Sequence, residues 1–115
     1  MSIPELNRPP LRPAVYHILL ALGARPLHGL GIAEAVERDT DGVMELGPGT
    51  LYRSLSEMTE AGLIEPASAP EDADPRRKYY ALTGAGREAV VAESRRLARL
   101  VEAAWARSLL PEGVG

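Results

Sequence analysis

Residues 47–80 constrain the fold of this chain more than any other stretch. Pro48 suits the first position of a helix, because its missing N–H would have no partner there and its fixed φ already matches the helix. Gly47 then falls at the N-cap. At about 100° per residue, Leu51, Leu55 and Met58 share one side, which is the pattern of a face that must be buried. The other side carries Gly49, Thr50, Arg53, Ser56, Glu57 and Glu60, with Tyr52 on the flank. Gly62 tolerates the left-handed backbone that ends helices, so residues 48–62 form a rod of roughly 22 Å. An ordinary amphipathic helix on an ordinary core would satisfy the same pattern.

The segment after Gly62 narrows the choice. Leu63-Ile64-Glu65 reads as a short strand, residues 66–75 as a turn rich in proline and acid, and Arg77-Lys78-Tyr79-Tyr80-Ala81-Leu82 as a second strand with period-2 alternation. Tyr80 and Lys78 take one face and Tyr79 and Arg77 the other, so at least one tyrosine helps to cover the helices. Arg76, Arg77 and Lys78 are the only run of three cations in the chain. They stand where a hairpin beside a slim helix would meet phosphate. A helix of that width fits the major groove of DNA, and a hairpin next to it makes a wing. The fold class this predicts is mainly α with a small β-hairpin wing: a winged helix-turn-helix followed by a long C-terminal helix.

The rest of the chain fills in that plan. Residues 1–10, with three prolines, read as a flexible arm. A first helix starts at Pro13 and runs to about Leu22. It is apolar nearly all round, which calls for cover on more than one side, and a second subunit is one such cover. His17 reads as a polar group at the edge of that helix. A second helix runs from about Leu30 to Thr40, with Ile32, Ala33 and Val36 inward and Glu34, Glu37 and Arg38 outward. His28-Gly29 precedes it, with His28 in a structural role through capping or backbone contact. Thr83 is a good N-cap for a last helix reaching about Leu110, where Pro111 stops it. Val90, Leu97, Leu100, Val101, Ala104 and Trp105 recur on it at helical spacing, against Glu93, Arg95, Arg96, Arg99 and Glu102. A stripe on so long a helix predicts a two-fold dimer, with Ile18 and Leu22 joining Leu97, Leu100, Val101, Ala104 and Trp105 at the interface. The divisions expected are 1–10 as arm, 11–82 as the winged domain, 83–110 as the dimerisation helix and 111–115 as a tail.

Net charge sets a condition on any nucleic-acid reading. Residues 28–82 hold 5 cations and 11 anions, so the winged segment is the most acidic part of a chain of net charge −3. Duplex DNA is a polyanion whose binders gain most affinity from phosphate contacts. The cations must therefore gather on one surface, with Glu34, Glu37, Asp39 and Asp41 turned away. Arg8 and Arg12 could add to that surface. The expected result is weak non-specific binding and a shallow salt dependence.

Several chemistries are disfavoured. With no cysteine there is no thiolate nucleophile, disulfide framework or zinc finger. Two histidines leave few routes to a nucleophile and base, so an enzyme is not expected, nor a cofactor or metal. Gly47-Pro48-Gly49 lacks the Gly-Lys-Ser or Gly-Lys-Thr of a phosphate loop, and Glu71-Asp72-Asp74 lacks calcium-ligand spacing. No run approaches the ~18 apolar residues of a membrane span, and the start does not read as a signal peptide. The expected location is the cytoplasm.

The segments His28-Gly29, Gly47-Pro48-Gly49-Thr50-Leu51-Tyr52-Arg53-Ser54-Leu55, Ala61-Gly62-Leu63-Ile64, Asp74-Pro75-Arg76-Arg77-Lys78-Tyr79-Tyr80 and Leu82-Thr83-x-x-Gly86, in that order and spacing, resemble the PadR family of transcriptional regulators. The resemblance covers about residues 13–104. It implies a winged helix-turn-helix with a C-terminal dimerising helix, and a protein that usually represses transcription by binding operator DNA. The family often has serine where this chain has Gly47, and an aromatic where it has Leu30.

The residues expected to meet double-stranded DNA are Gly49, Thr50, Tyr52, Arg53, Arg76, Arg77 and Lys78. Thr50 and the N–H groups of Gly49 and Thr50 suit phosphate at a helix N-terminus, and Arg53 suits a guanine edge or a phosphate. The competing assignments are an Arg53–Glu57 pair, a packing role for Tyr52, and a solvated strand end for the three cations. Trp105 reads as an interface anchor or, as the resemblance implies for some relatives, a stacking platform for a small aromatic effector. The rival to a DNA-binding dimer is a winged-helix dimer serving protein interaction, which the acidic balance would suit.

Overall fold

The computed structural model describes residues 9–111. In chain order the elements are α1 (Pro13–Ala21), β1 (Leu27–His28), α2 (Gly29–Asp39), α3 (Pro48–Glu60), β2 (Ile64–Ala67), β3 (Tyr79–Leu82) and α4 (Gly84–Ala106). The protein is mainly α, with a three-stranded antiparallel sheet ordered β1-β3-β2. The expected arm and tail fall outside the described residues, except for Pro9, Pro10 and Pro111.

Each helix start has a local cause. Pro13 and Pro48 open α1 and α3 from extended N-cap residues Arg12 and Gly47. His28 and Thr83 cap α2 and α4 with their side chains, accepting from Gly31 N and Gly86 N at 3.1 and 3.0 Å. The end of α3 is a double C-cap: with Gly62 at φ 78°, its N–H reaches Thr59 O at 3.0 Å and Leu63 N–H reaches Met58 O at 2.9 Å. That closure turns the chain straight into β2.

The hairpin is shorter than its sequence suggests. β3 starts at Tyr79, so Arg76, Arg77 and Lys78 belong to the turn end and not to the ladder. β2 starts at Ile64, opposite Leu82. No sequence pattern announces β1. It is two residues long, and its existence rests on pairing Leu27 with Tyr80 and His28 with Tyr79.

One core holds the helices and sheet together. Ile18, Leu19, Leu22, Ile32, Val36, Leu51, Leu55, Met58, Ile64, Ala89 and Val90 form it, with Tyr80 packed against its edge. Two interface residues expected on α1, Ile18 and Leu22, are 0% and 2% exposed. They face their own subunit's core; the exposed side of α1 presents Leu20 instead. Val90 is likewise a core residue, and Val91 is its exposed neighbour on α4. Glu93, expected on the polar face, is 6% exposed. Arg96 holds it at both oxygens, at 2.7 and 3.2 Å, and the Leu11 backbone adds a hydrogen bond. Those bonds, Arg96 first, keep its carboxyl below the ordinary carboxylate range despite burial.

The last helix ends four residues before Leu110, at Ala106. Ser108 takes a left-handed φ of 57°, its N–H reaching Trp105 O at 3.0 Å while Leu109 N–H reaches Ala104 O at 2.9 Å. The closure is the one used after α3, with serine where glycine stood. Leu100, Val101 and Trp105 remain 55%, 42% and 44% exposed, and Leu97 and Ala104 are half-buried.

Candidate nucleic-acid interface

Burial of Leu51, Leu55 and Met58 fixes which side of α3 faces outward. Gly49, Thr50 and Arg53 stand exposed on its first turns. Among the described residues Arg53 makes no ion pair, so the Arg53–Glu57 assignment drops out.

Tyr52 divides its surface between packing and solvent. It is 55% exposed, yet a Cβ on Gly29 would lie 2.7 Å from its hydroxyl. Glycine at position 29 is what lets the α3 tyrosine lie over the start of α2. From there Tyr52 lines two cavities. One, of about 460 Å³, is lined by His28, Gly29, Leu30, Tyr80 and the cations Arg76, Arg77 and Lys78. The other, of about 650 Å³, lies between the second half of α3 and the hairpin, over Leu55, Pro66 and Ala67.

The three consecutive cations divide their roles. Arg76 is turned back on the hairpin: Nε and Nη2 meet Asp74 at 3.2 and 3.1 Å, and its own N–H reaches Asp74 Oδ1 at 2.9 Å. Arg76, through these bonds, lowers the Asp74 carboxyl below its ordinary value. Arg77 reaches across to β1, with Nη1 2.8 Å from His28 Nε2 and 3.2 Å from Nδ1. Lys78 is exposed and lines both cavities.

Charge is sorted as a polyanion would require. Among the described residues, no acid lines the cavity that holds the three cations. Glu34, Glu37 and Asp41 are exposed and gather elsewhere, around a third depression with Arg38. Of the seven residues singled out for DNA, the fold brings Tyr52, Arg76, Arg77 and Lys78 to one cavity, while Gly49, Thr50 and Arg53 sit on the exposed turns of α3. Sequence reasoning misses His28 as a member of this surface. Its capping role is legible, but the contact with Arg77 spans 49 positions and leaves no local signal.

A sequence profile of the "Transcriptional regulator PadR-like family" matches residues 18–92. The chain belongs to that family. PadR-like proteins are regulators of transcription, not enzymes. A PadR family regulator from Clostridium difficile R20291 superposes with a TM-score of 0.66 at 25% identity, covering 84% of this chain and 97% of that one. Bacillus subtilis PadR in complex with operator DNA gives 0.59 at 23% identity, over 70% of this chain and 46% of that one. A PadR-like transcription factor from Bacteroides fragilis gives 0.63 at 26%, over 78% and 84%. Among curated proteins, an uncharacterized 37.1 kDa protein of Streptomyces fradiae transposon Tn4556 is 36% identical over 83 residues, which is 72% of this chain and 22% of that protein. The chain thus spans about a fifth of that relative and under half of the Bacillus protein. The PadR winged helix accounts for the four helices and the small sheet of the described residues, none of whose helices is long and apolar enough to cross a membrane.

Proposed function

We propose that this chain binds operator DNA as a homodimer and represses transcription, with α3 in the major groove and the hairpin on the flanking backbone. The observation that carries the reading is the sorting of charge. Tyr52, on the exposed turns of α3 that also carry Arg53, lines a cavity with three cations and no acid, and Arg53 is free of ion pairs among the described residues. The Bacillus relative, whose structure contains operator DNA, has the same fold. A dimer is supported by the exposed apolar stripe Leu100, Val101 and Trp105 on α4. Leu20 and Val91, which share an apolar depression of about 390 Å³ between α1 and α4, extend it in place of Ile18 and Leu22. Such a stripe gives a PadR-like subunit a self-complementary surface and sets two α3 helices toward a pseudo-palindromic site. Trp105, half-exposed on that stripe, would also suit a flat aromatic effector at the subunit interface.

The test uses a labelled duplex from the region upstream of the chain's own gene and a shuffled duplex of equal length. Selective binding is expected, and Arg53→Ala should cost about 1–3 kcal/mol on the upstream duplex. Equal affinity for both duplexes would favour a protein-interaction module, the alternative suited to the acidity of residues 28–82.

A further inference from the structure

One nitrogen of His28 is spent inside the fold and the other is not. Its Nδ1 takes the Gly31 N–H at 3.1 Å, while Arg77 Nη1 lies 2.8 Å from Nε2 and 3.2 Å from Nδ1, against the face of the ring. A neutral imidazole has one acceptor nitrogen. If Nδ1 accepts from Gly31, Nε2 carries the proton, and its N–H lies in the ring plane, where the Arg77 guanidinium above the ring does not meet it. The other tautomer sets donor against donor at Gly31, which breaks the cap of α2. The capped arrangement leaves Nε2–H and the Arg77 guanidinium side by side as donors for one oxygen.

The surroundings say what kind of oxygen. Tyr79 meets the His28 ring edge-on at 5.3 Å and 88°, which fixes the ring plane. Tyr52 bounds the cavity from α3, and Arg76 and Lys78 complete it, with no carboxylate on any wall. Arg76 already holds Asp74, leaving Arg77 and Lys78 as the charges facing the opening. We propose that His28 and Arg77 form the seat of one DNA backbone phosphate, with His28 neutral, locked by Gly31 as the Nε2–H tautomer, and donating to the same oxygen as Arg77. The seat deepens the DNA-binding reading and rests on it. It adds a phosphate ligand in a residue whose sequence role is only a helix cap.

The experiment compares wild type, His28→Asn, Arg77→Ala and the double variant on the upstream and shuffled duplexes. Asparagine keeps an N-cap acceptor for Gly31, and unchanged thermal melting of His28→Asn shows that α2 still forms. His28→Asn should weaken binding roughly tenfold, and by the same factor on both duplexes, because a phosphate carries no sequence. Its salt slope should stay near that of wild type, since the lost donor is neutral, whereas Arg77→Ala should lower the slope by about one. The double variant should lose little more than the larger single loss, as two donors to one oxygen are not additive. Nitrogen-detected imidazole spectra should show Nδ1 unprotonated and the Nε2–H signal sharpening when duplex is added, which a purely capping histidine would not do. Additive losses, a His28→Asn effect confined to one duplex, or no Nε2–H response would each overturn the seat. Selective binding with any of these outcomes would sink the seat alone. Sequence-blind binding with the expected losses would keep the seat and sink the operator reading. Absence of binding to either duplex would sink both.

Discussion

Thr83 and His28 each cap a helix by accepting from the N–H three residues on, and in both cases that third residue is glycine. The two caps differ in what their remaining group does. The Thr83 hydroxyl donates to Gly62 O at 2.6 Å, so both of its functions are spent inside the fold, tying α4 to the end of α3. The second nitrogen of His28 lies beside Arg77 at the wall of a cavity open to solvent. The same local device thus closes one junction and leaves the other waiting for a partner. Position in the helix cannot tell them apart; what approaches from another element can.

The two glycines give the largest test of that contrast. A Cβ on Gly86 would run into the Leu63 carbonyl, a backbone group that also accepts from Thr83 N at 3.1 Å. Neither α4 nor the chain entering β2 can yield without breaking the junction. Gly86→Ala should therefore cost about 3 kcal/mol or more, read as a large fall in the urea midpoint or as failure to fold. A variant with a near-normal midpoint would show that the junction is not closed.

Glu93, further along α4, extends the closed side. It pairs with Arg96 one turn on in the same helix and meets the backbone of Leu11, and its partner is only partly exposed. Glu93→Gln keeps the shape and removes the charge, at a cost of roughly 1–3 kcal/mol at neutral pH. The sign with pH comes from the lowered carboxyl. A group depressed by folding contributes fully above the ordinary carboxylate range, and that contribution is lost as pH falls through its folded value. Urea midpoints at neutral pH and at about pH 4 or below should show the gap between wild type and Glu93→Gln narrowing on acidification. A constant gap would mean that the charge of Glu93 plays no part.

Thr83→Ala comes next. It removes the cap acceptor and the donor to Gly62 O, for about 1–2 kcal/mol. Thr83→Ser, which keeps both groups, should recover most of that loss in the same melt. If serine recovers nothing, the methyl packing and not the hydroxyl makes the junction.

How much of the fold and its surface is legible in the sequence depends on the range of each cause. Pro13, Pro48 and Thr83 act within one turn, and α1, α3 and α4 start where those residues place them. The end of α3 is legible because Gly62 marks it. The end of α4 is not, because Ser108 adopts the same left-handed conformation without a glycine, and the next visible signal is Pro111. Strand β1 has two residues and depends on Tyr79 and Tyr80 some fifty positions away, so no period could reveal it. Helix α1 is apolar all round, and periodicity could not say that Ile18 and Leu22 meet their own core while Leu20 faces out. The cation run is legible as charge, but its division among Asp74, His28 and solvent is not.

The smallest effect is the one that separates the two caps most cleanly. Gly31 occupies, behind His28, the position that Gly86 occupies behind Thr83. The atoms nearest a Cβ there belong to the His28 ring and the Leu27 side chain, at 3.5–3.7 Å, which is ordinary contact. Alanine also restricts the unfolded chain and favours a helical residue by up to about 1 kcal/mol over glycine. Gly31→Ala should therefore leave stability unchanged or raise it by about 0.5 kcal/mol, against the large loss from the matching change at Gly86. The melt alone does not complete the comparison, since the open cap is defined by what it leaves free. Duplex affinity should also stay within about twofold of wild type, because the added methyl lies beside the ring and not between Nε2 and Arg77. A loss comparable to Gly86→Ala would mean that the start of α2 is as tightly closed as the start of α4, and the distinction between the two caps would fall with it.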